Sequence, residues 1–262
     1  MQDHLGRRVE LPDVAQRIVS LCPSITETLF HLGVGERVVG RTRFCVRPAQ
    51  AVRQAQVVGG TKQVDVERVR SLRPDLVIAQ KEENTREVVD ALAVFAPVFV
   101  GDVETMDDGL RLIDDLGVIT GSVSAATQLV RAVREAFADL PQADAVRVAW
   151  LIWRNPWMAA GAHTYITDLL QRAGFVNVCA RMDDARYPEI TLAQLRERKT
   201  QVVLLSSEPY PFAESHAREL SEQLPGMRVL CADGELSWYG VGMVRAAREL
   251  TRLVRAVRAL PS

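Results

Sequence analysis

The sequence predicts an α/β protein of two similar lobes, each a mostly parallel sheet with flanking helices, joined by one long rigid helix. Three observations carry this. Short apolar runs rich in Val and Ile alternate with helix signals in both halves of the chain. The plan of the first half recurs in the second at offsets of roughly 125–141 residues, too long a period for a solenoid. Between the halves, residues 122–140 contain no Gly or Pro and are rich in helix formers.

The elements follow in order. Residues 17–21, 75–79 and 97–101 are strand-like runs bounded by turn or cap residues. Ser24 to Glu27 has the pattern of a capping box, opening a helix that stops at Gly33. Asp65 is a candidate N-cap for a short helix through Leu72, ended by Pro74. A further helix is expected over 84–95. The first lobe is thus 1–121. Residues 122–140, between Gly121 and Pro141, make a strut about 28 Å long if helical throughout. In the second lobe, 141–262, a strand is expected at 146–153, a helix capped by Thr164 and stopped by Gly174, and a capping box at Thr191 and Gln194. Strands at 201–206 and 227–233 follow. The last helix, 241–260, has apolar residues at 241, 244, 247, 250, 254 and 257, one face turned to the lobe.

Charge is balanced, 32 basic against 33 acidic residues, so no basic excess supports nucleic-acid binding. No apolar run approaches the roughly 20 residues of a membrane span. The four cysteines form no C-x-x-C pair, and their spacing assigns no disulfide. Residues 1–8 carry no apolar leader core, which leaves a cytoplasmic chain or one whose leader has been removed. Two imbalances remain: only Lys62, Lys81 and Lys199 are lysines, and every Trp and Tyr lies beyond residue 149.

Ligands of open α/β sheets bind beyond the carboxyl ends of the strands. That rule selects 22–26, 41–45, 59–62 and 80–84 in the first lobe, and 153–157, 206–212 and 237–240 in the second. Trp153, Trp157, Tyr210, Phe212, Trp238 and Tyr239 all fall in these segments. Six aromatics in loops are more than packing asks for, and they offer rigid contact area at low entropic cost. Ser24, Arg43, Lys62 and Glu82 supply polar and charged candidates on the other lobe. Catalytic patterns are poor: the chain has no G-x-S-x-G elbow, P-loop or H-E-x-x-H. Cys22 or Cys45 is a candidate nucleophile or metal ligand, with no His placed by sequence to activate either.

Arg17-Ile-Val-Ser-Leu-Cys-Pro-Ser-Ile-Thr-Glu-Thr-Leu, Val57-Val-Gly-Gly-Thr, and Glu67 through Leu72-Arg-Pro-Asp-Leu-Val-Ile-Ala resemble the N-terminal lobe of the ABC-transporter substrate-binding proteins for cobalamin and ferric siderophores, the helical-backbone group. The likeness continues through the strut to Trp238-Tyr239. It implies a ligand cleft between two lobes, limited hinge motion, and an extracytoplasmic location. It also implies docking of each lobe on a permease through an acidic residue. Glu67 holds that position in the first lobe; in the second the match is Ala193, with Glu189 and Glu197 nearby. Metal-ion receptors of this fold use His ligands, and the four histidines here make no such set.

The expected function is therefore non-enzymatic binding of a bulky, partly apolar small molecule: a corrinoid, a heme-like compound or a ferric siderophore chelate. No intrinsic cofactor or metal site is expected, although the ligand itself can carry cobalt or iron. The role is ABC-type uptake or that of a leaderless carrier or sensor. The alternatives are a cytoplasmic cysteine-dependent enzyme and a receptor for free Zn or Mn.

Overall fold

The computed structural model of the protein describes residues 1–182 and 184–259. The chain divides into two units. The first comprises Met1–Val103, Asp107–Val133 and the short segment Tyr239–Gly242. The second comprises Glu104–Met106, Arg134–Trp238 and the chain from Met243 onward.

The opening elements are β1 (Ile18–Ser20), α1 (Pro23–His31), β2 (Val38–Arg41), β3 (Gln56–Val57), α2 (Val66–Ser71), β4 (Leu76–Gln80), α3 (Arg86–Ala93), β5 (Val98–Gly101), α4 (Met106–Thr120) and α5 (Val123–Ala138). The five strands form one sheet in the order β3-β2-β1-β4-β5, and every pairing is parallel. Ile18 stands opposite both Val38 and Leu76. A parallel sheet is buried on both faces, so its strands read as continuous apolar runs; all five residues of β4 are buried. One face, with Val19, Val77 and Val98, packs with Val69 and Leu72 at α2 and with Val89 and Leu92 of α3. From the other face Ile18, Ile78 and Phe99 are fully buried, as are Ile25 and Leu29 of α1 and Leu112, Ile113 and Leu116 of α4.

The start of α1 differs from the capping-box expectation. Cys22 is the extended N-cap residue, no side chain caps the helix, and Pro23 takes its first position. Proline suits that position because its fixed φ is helical and its missing N–H would have no partner there. Ser24 is thereby drawn inside the first turn. The other caps form as expected: Asp65 accepts from the Arg68 amide, Thr164 from Thr167, and Thr191 with Gln194 makes a full capping box. The helix expected over 84–95 begins at Arg86, with Thr85 as its cap.

The sequence reading did not foresee α4, which carries Gly109, Gly117 and four Asp residues, all weak helix formers. Gly117 has a packing reason: a Cβ there would press into the Ala126 methyl of α5. The stretch read as a strut is helical over Val123–Ala138.

The chain continues with β6 (Arg147–Trp153), β7 (Met158–Ala159), α6 (Tyr165–Arg172), β8 (Val176–Asn177), α7 (Leu192–Glu197), β9 (Val202–Ser206), α8 (Glu214–Gln223), β10 (Arg228–Ala232) and α9 (Gly242–Arg258), which enters the second unit at Met243. The sheet of the second unit runs β10-β9-β6-β7, with β8 also paired to β6. Only β7 is antiparallel among these pairings. Leu260, the expected end of the last helix, lies outside the described residues. The architecture is the predicted one: α/β, with two mostly parallel sheets and flanking helices.

Candidate functional site

In the first unit, the loops at the carboxyl ends of the strands gather two linked groups. Ser24 is buried, 4% exposed. Its hydroxyl lies 3.3 Å from the Cys22 sulfur, which in turn lies 3.2 Å from the Tyr239 hydroxyl. Tyr239 is brought here by the Tyr239–Gly242 segment, where the Val241 amide donates to Thr28 Oγ1 at 3.1 Å. The second group joins Lys62 to Glu82: the ammonium donates to the Glu82 carbonyl. Gln80 Oε1 shapes that loop by accepting from the amides of Glu82 (2.6 Å) and Glu83 (3.1 Å). Lys81 instead pairs with Asp102 at 2.6 Å.

Arg43 is exposed on the loop after β2, with its guanidinium 5.2 Å from the Phe44 ring centre. The loop is braced from beneath. Arg41 donates to the carbonyls of Val52 (2.9 Å) and Cys45 (3.1 Å), and Thr26 Oγ1 donates to the Cys45 sulfur at 3.1 Å. Phe44 is left 50% exposed on this fixed loop. Sequence reasoning selected the segment but missed Phe44, which has no periodic pattern; its place after a strand was the one signal.

In the second unit, four of the predicted aromatics form a ladder. Trp153, the last residue of β6, is 41% exposed and meets Tyr210 edge-on at 5.6 Å. Tyr210 lies 4.5 Å from Phe212, and Phe212 stacks on Trp157 at 6.0 Å with planes 10° apart. His216 edges onto both Tyr210 and Phe212 at 5.7 Å. Phe212 belongs to the core with Leu205, Ala217 and Leu220, and Trp157 and Tyr210 pack partly buried against it. The backbone sets the positions: the Tyr210 amide donates to Ile152 O at 3.3 Å, and the Ile190 amide to Trp157 O at 2.9 Å. Arg154 lies 5.6 Å from the Trp157 ring centre and pairs through both Nη atoms with Glu219, which holds its cation above the usual range. Trp238 stands outside the ladder, its indole N–H donating to Glu208 at 3.1 Å.

Such an arrangement offers flat apolar area with one fixed cation beside it. It offers little for nucleophilic chemistry. All four cysteines are free. Burial pushes Cys22 up to about 12 and raises Cys45 as well, whereas a reactive thiolate needs a lowered value. Among the described residues no group of three or more His, Cys, Asp or Glu is placed to hold a metal ion. None of the helices described is long and apolar enough to cross a membrane.

Glu67 is the second residue of α2, its side chain 79% exposed. Ala193 occupies the same position in α7, also exposed.

Comparison with known proteins gives these features a setting. The chain is 26% identical over 199 residues to the vitamin B12-binding protein of Yersinia pestis (strain Pestoides F), covering 73% of this chain and 70% of that one. The structure resembles the periplasmic vitamin B12-binding protein of Vibrio cholerae, with TM-score 0.78, 19% identity, and coverage of 95% of this chain and 100% of that one. It is equally similar to a periplasmic heme-binding protein from Roseiflexus sp. RS-1, with TM-score 0.78, 23% identity and coverage of 94% and 98%. The family described as periplasmic binding protein matches residues 18–224. The chain belongs to the periplasmic binding protein family.

Proposed function

We propose that the protein binds a bulky ligand with a broad apolar face, of the corrinoid, heme-like or ferric-chelate class, and presents it to an ABC-type permease. The aromatic ladder of the second unit carries the reading: Trp153, Tyr210 and Trp157, backed by the buried Phe212, offer ring area suited to a flat ring system. Ser24, Arg43, Lys62, Glu82, Trp238 and Tyr239, with Phe44 added, complete the proposed contact set. Relatives that bind vitamin B12 and heme support the ligand class. The same likeness supports permease docking through Glu67 and an extracytoplasmic location.

The absorbance spectrum of freshly purified protein is the first test, since each of these ligands is coloured. Titration with cyanocobalamin, hemin and a ferric siderophore, followed by Trp fluorescence and calorimetry, is the second. No response to any of the three would overturn the ligand class.

A further inference from the structure

We infer that Glu219 is a positioning residue for the ligand surface: by gripping Arg154 it fixes the guanidinium against Trp157 and keeps that ring in its stack on Phe212. The inference rests on the reading of the ladder as the contact surface.

Trp157 sits between β6 and β7, three residues after Arg154 on the same short connection. Phe212 is held by the core, but Trp157 is only partly buried and its ring needs a second constraint. Arg154 approaches it at 5.6 Å. Left alone, an arginine on a loop would sample many rotamers. The carboxylate fork removes that freedom: Arg154 Nη1 donates to Glu219 Oε2 at 3.0 Å, and Nη2 pairs with Oε1. A planar guanidinium held at two points keeps its orientation, which a single contact would not ensure. Glu219 lies on α8, whose Ala217 and Leu220 enter the same core as Phe212. The cation beside Trp157 is thereby tied to the support of the ring on which Trp157 stacks. Arg154 Nε is buried without a hydrogen-bond partner, so the pair with Glu219, a bond with the Tyr210 side chain and the ring contacts set its orientation.

As an ion pair alone this contact would matter little. The two side chains are 22% and 46% exposed, and solvent screening limits what even a two-point pair adds to stability. Its effect on binding would pass through the ring.

The test separates the two roles. In Glu219→Ala, affinity for cyanocobalamin, hemin or a ferric siderophore, whichever the parent binds, is expected to fall about fivefold, with a thermal midpoint close to that of the parent. The exchanged double variant Arg154→Glu with Glu219→Arg restores an ion pair between the loop and α8 but sets a carboxylate against the Trp157 face. It is expected to keep the parent's midpoint while binding stays weak. Unchanged affinity in Glu219→Ala, or recovery of affinity in the exchanged variant, would overturn the inference. Should the parent bind none of the three probes, the proposed function itself falls. The positioning claim is then read from Trp157 emission, taken as the difference between each protein and its Trp157→Phe counterpart. A shift in Glu219→Ala supports the claim, and an unchanged spectrum overturns it.

Discussion

The phenol of Tyr239 and the thiol of Cys22, 217 positions apart in the chain, meet at 3.2 Å. Burial is the main reason that Cys22 rises to about 12, and the charge of Glu83 adds to it, while bonds from Ser24 and Tyr239 oppose. Cys179 is pushed to about 12 and Cys231 to about 11, burial again leading. All four thiols should therefore alkylate slowly with iodoacetamide in the native protein near neutral pH. Mass spectrometry of the labelled sites checks this. One site reacting as fast as an exposed thiolate would revive cysteine chemistry.

The same shifts give a pH dependence of stability. A thiol whose folded value is raised above its ordinary 9.0 holds its proton more tightly when folded. Its contribution is complete below about pH 9 and is lost as pH rises toward the folded value. The thermal midpoint should thus fall between pH 9 and pH 11, and Cys22→Ser should flatten the fall. A parent curve that is level across this range would refute the assignment.

Along the aromatic ladder, binding and stability should separate. Trp157→Ala should weaken ligand binding by about 2 kcal/mol or more, the loss that marks a hot spot. Trp153→Ala and Phe44→Ala should weaken binding with little change in midpoint, because both side chains stand outside the buried core. Phe212→Ala should cost about 3–5 kcal/mol of stability instead, since it fills the core. Calorimetric titration and urea unfolding of the same four variants would show whether the two effects part in this way.

Much of this was legible in the sequence, and the failures have physical causes. Asp65, Thr164 and Thr191 were readable because a cap is a local event between neighbours. Ser24 misled because Pro23 competes for the helix start and prevails. The helix α4 escaped because its glycine is chosen for the approach of Ala126, a tertiary reason that overrides propensity. The ladder's members were found by placing aromatics at strand ends, but their mutual stacking depends on how two loops fold toward each other. Tyr239 shows the limit most clearly: it was grouped with the aromatics of the second half, and its hydroxyl bonds instead to Cys22.

Gly240 gives a sharp stability test. Its φ is +71°, and a Cβ there would drive into the Thr28 hydroxyl, whose oxygen accepts the Val241 amide. Gly226 has φ +84° with open space around it. Both alanine variants bear the cost of a left-handed backbone, about 1 kcal/mol or more. Gly240→Ala should exceed Gly226→Ala by roughly the 1–3 kcal/mol of an overpacked site. Equal unfolding midpoints in urea would contradict the close contact at Thr28.

The first unit is not a continuous stretch of chain. A polypeptide ended at Val133 would retain all five strands of its sheet and every helix of the first core. It would still lack the four residues Tyr239–Gly242, which reach it only after most of the second unit has been synthesised. Such a fragment would leave the Cys22 sulfur without its phenol and Thr28 without the amide it accepts. The two units are therefore not separable by a single cut in the gene. During synthesis the first sheet can assemble early, but the seal over α1 is the last part of the first unit to arrive.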